Sequence, residues 1–182
     1  LRSDRVLLIV TRRCHLYCRY CFRRDQHDSS EPRAEELSRA MDYVGTCGAR
    51  EVILSGGDPL TLSNRKLLSL VSRAREHVPR VRIHSRAPIT HPSRVNAELT
   101  RGLRQHAPVW LVVHCNHPRE LSEETSAALT RLVDAGIPVL NQSVLLRGVN
   151  DNAETLVRLS EALMQLRVHP YYLHHTDPVP GN

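Results

Sequence analysis

The chain has 182 residues, of which 41% are hydrophobic: enough for one sizeable buried core, too many for a disordered segment. Its apolar runs, such as VLLIV and WLVV, fall far short of the roughly twenty residues that cross a bilayer, so no membrane span or secretory signal is read. The formal charge of +6 comes from 24 arginines and the single Lys66 set against 19 acids; these are spread along the chain and interleaved, which argues for solvated faces over a nucleic-acid groove.

In chain order, RVLLIV (residues 5–10) reads as a first strand, rich in β-branched and apolar residues. Leu37, Ala40, Met41 and Val44 then follow the i, i+3, i+4, i+7 rule of a helix with one buried face. EVILS (51–55) is a second strand, and Leu67, Leu70, Val71 and Ala74 mark a second helix. RVRIHS (80–85) and VWLVVH (109–114) are the third and fourth strands. Leu129, Leu132 and Val133 precede Gly136, a helix-ending glycine. IPVLNQSVLL (137–146) is the fifth strand, Asp151 and Glu154 form a capping-box pattern before Leu156, Leu159 and Leu163, and HPYYLHH (169–175) is the sixth strand.

Strand and helix thus alternate, which demands an α/β fold with a parallel sheet covered by helices. The unusual residues collect at the carboxyl ends of the strands: Cys14, then SGGD (Ser55 to Asp58), HSR (His84 to Arg86), HCNH (His114 to His117), NQS (Asn141 to Ser143) and HHTD (His174 to Asp177). That is how a βα barrel assembles an active site, and six strands make an incomplete (βα)6-type barrel. We read residues 1–182 as one domain and the core of a longer protein, with a shortened paralogue as the alternative.

Three of the five cysteines, Cys14, Cys18 and Cys21, fall in RRCHLYCRYCFRR (residues 12–24). Clustering of this kind suits metal ligation in a reducing cytoplasm better than a disulfide framework. Three readings compete: the apolar stripe of a helix, a zinc site completed by His15 or His27, and a 4Fe-4S cluster with one iron left open for a small molecule. Cys47 and Cys115, outside the motif, are expected as small buried hydrophobes.

C-x3-C-x2-C after the first strand, with GGD after the second, resembles the radical S-adenosylmethionine (SAM) superfamily. DRVLLIVT, CRYCFRR, VILSGGDPL, RIHSR, NQSVLLRGVND and PYYLHHTD further resemble the lysine 2,3-aminomutase family, and most of all its branch that makes β-lysine for elongation factor P. The resemblance covers nearly the whole chain. It implies a radical SAM barrel that uses a 4Fe-4S cluster, SAM and pyridoxal phosphate to move the amino group of lysine from the α to the β carbon. It further implies an electron donor such as flavodoxin or ferredoxin, and it allows a homo-oligomer. Another radical SAM enzyme acting on a peptide or RNA, or a non-catalytic iron-sulfur or zinc module, are the alternatives.

Carried over residue by residue, the resemblance gives Cys14, Cys18 and Cys21 to the cluster. It sets Tyr20 near adenine and gives Ser55, Gly56, Gly57 and Asp58 to the methionine end of SAM, the glycines because backbone without Cβ can approach a ligand closely. Gln142 is expected on SAM and His114 is a weaker candidate, with a satisfied core histidine as its alternative. Arg5 matches a pyridoxal-phosphate ligand and Arg23 a ligand of the substrate carboxylate, both suited by planar bidentate donors. Asp177 matches one of two carboxylates that hold the ε-ammonium of lysine. The lysine that anchors pyridoxal phosphate is expected outside this chain, because Lys66 sits on the polar side of a helix.

Overall fold

The computed structural model describes residues 4–23 and 31–177, so His27 lies outside the described residues. Six strands form one sheet in the order β1-β2-β3-β4-β5-β6, every neighbouring pair parallel: β1 Arg5–Thr11, β2 Glu51–Gly56, β3 Arg80–His84, β4 Val109–His114, β5 Val139–Val144 and β6 His169–His174. Parallel neighbours require crossovers, and helices supply them: α1 Ala34–Thr46, α2 Asn64–His77, α3 Ala87–Thr90, α4 Ala97–Gln105, α5 Glu123–Asp134 and α6 Ala153–Gln165. β1 and β6 do not pair, so the barrel stays open.

Alternation along the strands divides the sheet. One face, with Leu8, Val10, Val52, Leu54, Val81, Ile83, Leu111 and Val113, joins the helices in one core. α1 contributes Leu37, Met41 and Val44 to it, and α2 contributes Leu67, Leu70, Val71 and Ala74, as their periodicity predicts. Full burial of each larger side chain is worth about 1.5–3 kcal/mol. The other face is concave and carries the intervening residues, among them Arg5, Glu51, Arg82, His84, His114 and Gln142. Near its edge Leu7 and Ile9 stay 48% and 37% exposed, which an open lumen explains.

Two details differ from the sequence reading. Helix α6 is capped by Asn152, whose side chain accepts from the Thr155 amide, while Asp151 accepts from the Gly148 amide one turn earlier. The reading also missed both helices between β3 and β4, the short α3 and α4, where Leu99, Thr100, Gly102 and Leu103 are buried. Gly102 makes that packing possible, because a Cβ there would meet Leu68 Cδ1 at 2.2 Å. Gly136, with φ 78°, follows α5 as expected.

The mouth at the carboxyl ends of β2 and β3 is held by Asp58. Its carboxylate, 6% exposed, accepts from Leu60 N (2.9 Å) and Ser85 Oγ (2.6 Å) on Oδ1, and from Arg86 N (2.8 Å) and Ala87 N (2.9 Å) on Oδ2. Replacing it by alanine strands donors from two loops in a buried place. We expect Asp58→Ala to lose at least about 3 kcal/mol of unfolding free energy in a denaturant titration, and Asp58→Asn to lose less.

Candidate cofactor and substrate site

The cysteine loop leaves β1 at Thr11 and crosses directly over the turn after β2. Gly57 N donates to Thr11 O and Asp58 N to Arg13 O, each at 2.7 Å. A Cβ on Gly56 or Gly57 would meet Thr11 O or Arg13 O at 2.2 Å, and Gly56 has φ 122°. Close approach is required here by the protein's own backbone, and the amides of Gly57 and Asp58 are already used by it. Asp58 likewise turns its carboxylate into the fold. Ser55, 8% exposed, ends β2 just before this crossing.

Cys14, Cys18 and Cys21 are partly exposed free thiols on this loop, and Cys21 N donates to Cys18 O at 3.0 Å. The loop is not helical, so the apolar-stripe reading fails. Burial pushes the Cys14 thiol up to about 11, with Asp58, Cys21 and Cys18 adding to the effect. Three thiols gathered on one loop, with the ionisation of Cys14 opposed by its surroundings, favour a cation among them, since a bound metal reverses that penalty. Yet among the described residues no three His, Cys, Asp or Glu side chains converge on a position for a single ion. The donor set fits a multi-iron cluster, whose thiolates attach to separate irons, better than one zinc ion.

Two side chains tie this loop to the barrel. Asn116 Nδ2 donates to Tyr20 Oη at 2.8 Å, while the Asn116 amide donates to Glu120 Oε2 and its Oδ1 accepts from Val144 N, both at 2.8 Å. Arg86 lies over the Tyr20 ring, 5.5 Å from its centroid, and donates from Nη2 to Glu120 Oε1 at 2.7 Å. Burial raises the Tyr20 hydroxyl above its ordinary value, so it stays protonated. Neither Asn116 nor Arg86 was singled out from the sequence; both lie inside quoted motifs, but nothing in HCNH or HSR told an anchor from a ligand.

Lower in the lumen Gln142 Nε2 and the His114 ring are in hydrogen-bond contact, at 3.0 Å for Nδ1. Asn141 and Ser143, the neighbours of Gln142, point to the opposite face. There Asn141 accepts from Cys115 N (2.8 Å) and donates to Cys115 O (3.1 Å), locking β5 to β4. Cys115 is fully buried, as expected, and Cys47 is partly so. At the base of the lumen Glu51, 2% exposed, sits between Arg82 Nη2 (2.6 Å) and Arg5 Nε (3.1 Å). Arg5 Nε is not aligned to donate to that carboxylate, and with Arg82 Nε and His84 Nε2 it is a buried nitrogen without a hydrogen-bond partner among the described residues. Arg5 Nε also lies 3.7 Å from Asp4 Oδ1, so two guanidiniums meet two carboxylates here, and it is the planar donors of the arginines that suit a phosphate or carboxylate guest.

Arg23 lies at the mouth instead, donating from Nη1 to the carbonyl of Gly56, the last residue of β2, at 3.0 Å. Asp177 follows β6 and is exposed. Lys66, on α2, is ion-paired with Glu31 at 2.6 Å in the helical layer, outside the lumen.

This constellation, with three cysteines after β1, a glycine-rich crossing after β2 and a polar lumen in an open parallel barrel, defines a class: the chain belongs to the radical SAM superfamily, whose sequence profile matches residues 8–160. Within it, the chain is 46% identical over 180 residues to the L-lysine 2,3-aminomutase of Clostridium subterminale, covering 96% of this chain and 43% of that protein. It is 38% identical over 184 residues to the L-lysine 2,3-aminomutase of Bacillus subtilis, covering 98% and 39%. The chain therefore spans less than half the length of these relatives. Streptococcus suis SuiB, solved with S-adenosylmethionine bound, superposes with a TM-score of 0.77 at 14% identity over 98% of this chain and 42% of its own. Methylornithine synthase gives 0.68 at 15% identity, over 98% and 55%. At such identities the likeness is one of fold.

His84 and His114, inside the lumen, are held uncharged. Burial lowers His84 to about 4, with Arg82 adding to it, and lowers His114 to about 3, with His84 adding to it. In the unfolded chain both take up protons near their ordinary value of 6.5, so below that pH the unfolded state binds more protons and stability falls. We expect unfolding free energy to be full above about pH 6.5 and to decline toward pH 4.5, by at most roughly 1.4 kcal/mol per pH unit for each histidine. His84→Asn should flatten that decline, as read from denaturant titrations across the window.

Proposed function

We propose that this chain is the radical-generating core of an aminomutase that converts L-lysine to β-lysine, and that the β-lysine serves elongation factor P. The single observation that carries the reading is the cysteine loop seated on the GGD turn, at the mouth of a lumen lined by Arg5, Arg82, His84, His114 and Gln142. Identity of 38–46% to proteins named L-lysine 2,3-aminomutase supports the reaction. The assignment to elongation factor P rests on the resemblance of the motifs, PYYLHHTD among them.

On this reading Cys14, Cys18 and Cys21 hold a 4Fe-4S cluster, and Tyr20, Gln142 and His114 surround SAM. Ser55 and the Gly56–Gly57 turn border it, and Asp58 acts by fixing the loops. Bound together, cluster and SAM supply a carbon-centred radical, and pyridoxal phosphate lets nitrogen pass between neighbouring carbons. The chain's own residues bind, orient and exclude water. Arg5, with an unused donor at the lumen floor, takes the phosphate of pyridoxal phosphate; Arg23 takes the substrate carboxylate. Neutral His114 and Gln142 form a hydrogen-bonding pair that would add no charge to the pocket for SAM. Asp177 meets the ε-ammonium. Lys66, engaged by Glu31, is not the pyridoxal anchor. The electron comes from a carrier of the flavodoxin or ferredoxin class, in a cytoplasmic setting that keeps the cysteines reduced.

Anaerobic reconstitution should load about four irons per chain, and SAM should alter the EPR spectrum of the reduced cluster. Cys18→Ala should remove both effects; stoichiometric zinc with no response to SAM would overturn the reading. In the full-length enzyme we expect Asp177→Asn to cut kcat/KM for lysine about tenfold to a hundredfold, the equivalent of roughly 1.5–3 kcal/mol for a lost charge-assisted partner. Reductive cleavage of SAM without substrate should persist. Normal lysine turnover by the variant would remove Asp177 from the substrate site.

A further inference from the structure

Arg86 is fixed from three directions. Asp58 Oδ2 clasps its backbone amide at 2.8 Å, Glu120 Oε1 takes Nη2 at 2.7 Å, and Nη1 donates to Cys18 Sγ at 2.9 Å. Glu120 is itself held, because its Oε2 accepts the Asn116 amide. The Arg86 side chain is 16% exposed, and its Nε is buried with no hydrogen-bond partner among the described residues. A guanidinium stays charged at any working pH, and its planar fork cannot rotate away from one partner without losing the other.

We propose that Arg86 is a positioning residue for the iron-sulfur cluster: its hydrogen bond to the Cys18 sulfur raises the cluster's reduction potential. The inference rests on the cluster reading of the cysteines given above. Its physical basis is that hydrogen bonds to ligating sulfurs, and positive charge beside them, stabilise the reduced, more negative state. One electron enters the cluster from a low-potential carrier protein, which is oxidised in turn. No bond to Arg86 breaks, and its proton stays on Nη1. Glu120 opposes part of the charge but holds the guanidinium so that its other terminal nitrogen meets the thiolate.

The test is a redox titration of the reconstituted chain without SAM, followed by EPR, for the wild type, Arg86→Gln and Arg86→Lys, with iron and sulfide measured on each. At a fixed poise we expect Arg86→Gln to lower the ratio of reduced to oxidised cluster tenfold or more, which for a one-electron couple is about 59 mV. Arg86→Lys, which keeps the charge, should recover part of it. As a second readout, guanidino-15N arginine should give a 15N hyperfine coupling to the reduced wild-type cluster that Arg86→Lys loses. Should Arg86→Gln fail to hold iron, the lysine variant and the 15N coupling decide. An iron-loaded wild type without an Arg86-dependent coupling, or iron-loaded variants with an unchanged potential, overturns the proposal; weakened SAM binding alone would assign Arg86 to SAM and overturn it as well. A wild type that takes up no iron removes the cluster reading first, and this proposal with it.

Discussion

A buried carboxylate with four donors aimed at it is the constraint on which the mouth of this barrel depends. Asp58 gathers Leu60, Ser85, Arg86 and Ala87, so the ends of β2 and β3 are set in one position. A carboxylate so placed is expensive to bury unless every lone pair is used, and here the protein uses them. Through Arg86 the constraint reaches Cys18 and Glu120, and through Glu120 it reaches Asn116 and Tyr20. The cysteine loop, which has no regular secondary structure, therefore inherits its place from the sheet.

The same loop is held from below by backbone alone. The chain after β1 and the turn after β2 touch so closely that any Cβ on Gly56 or Gly57 would strike a carbonyl oxygen. A glycine pair in such a place is commonly attributed to the needs of a ligand. Here the first requirement is the crossing of two protein strands, and the ligand benefits from what that crossing fixes. The lumen follows another principle. Its residues come from alternate positions of strands whose other face packs on the helices, so Gln142 and His114 face inward because Asn141 and Val113 face outward.

Much of this was legible in the sequence because hydrophobic period is a strong signal. Six strands were found at nearly their observed limits and helices α1, α2, α5 and α6 by their buried faces, while the cysteine spacing with GGD marked the candidate site. Helix α4 was missed because it is short and one of its buried positions is a glycine, which no apolar pattern registers. The cap of α6 was displaced by one residue because Asp151 and Asn152 are both competent caps, and only the loop geometry chooses between them. The anchoring by Asp58, Arg86, Glu120 and Asn116 was not legible for a further reason: their partners lie far away in sequence, and polar residues that bond to protein look the same in a string of letters as those that bond a cofactor. Glu51 between Arg5 and Arg82 was likewise invisible, since a buried charge is recognised only once its partners are near.

Strand β5 carries a consequence of its own. Asn141, Gln142 and Ser143 alternate between clamping β4 from the helical side and facing the lumen, so three consecutive polar side chains serve two compartments. Exchange of one letter at any of them damages one compartment. Gain or loss of one letter upstream in the strand would exchange the compartments, sending the clamp into the cavity and the cavity residue into the apolar layer. A substitution along this stretch thus harms one compartment, whereas an insertion or deletion harms both at once.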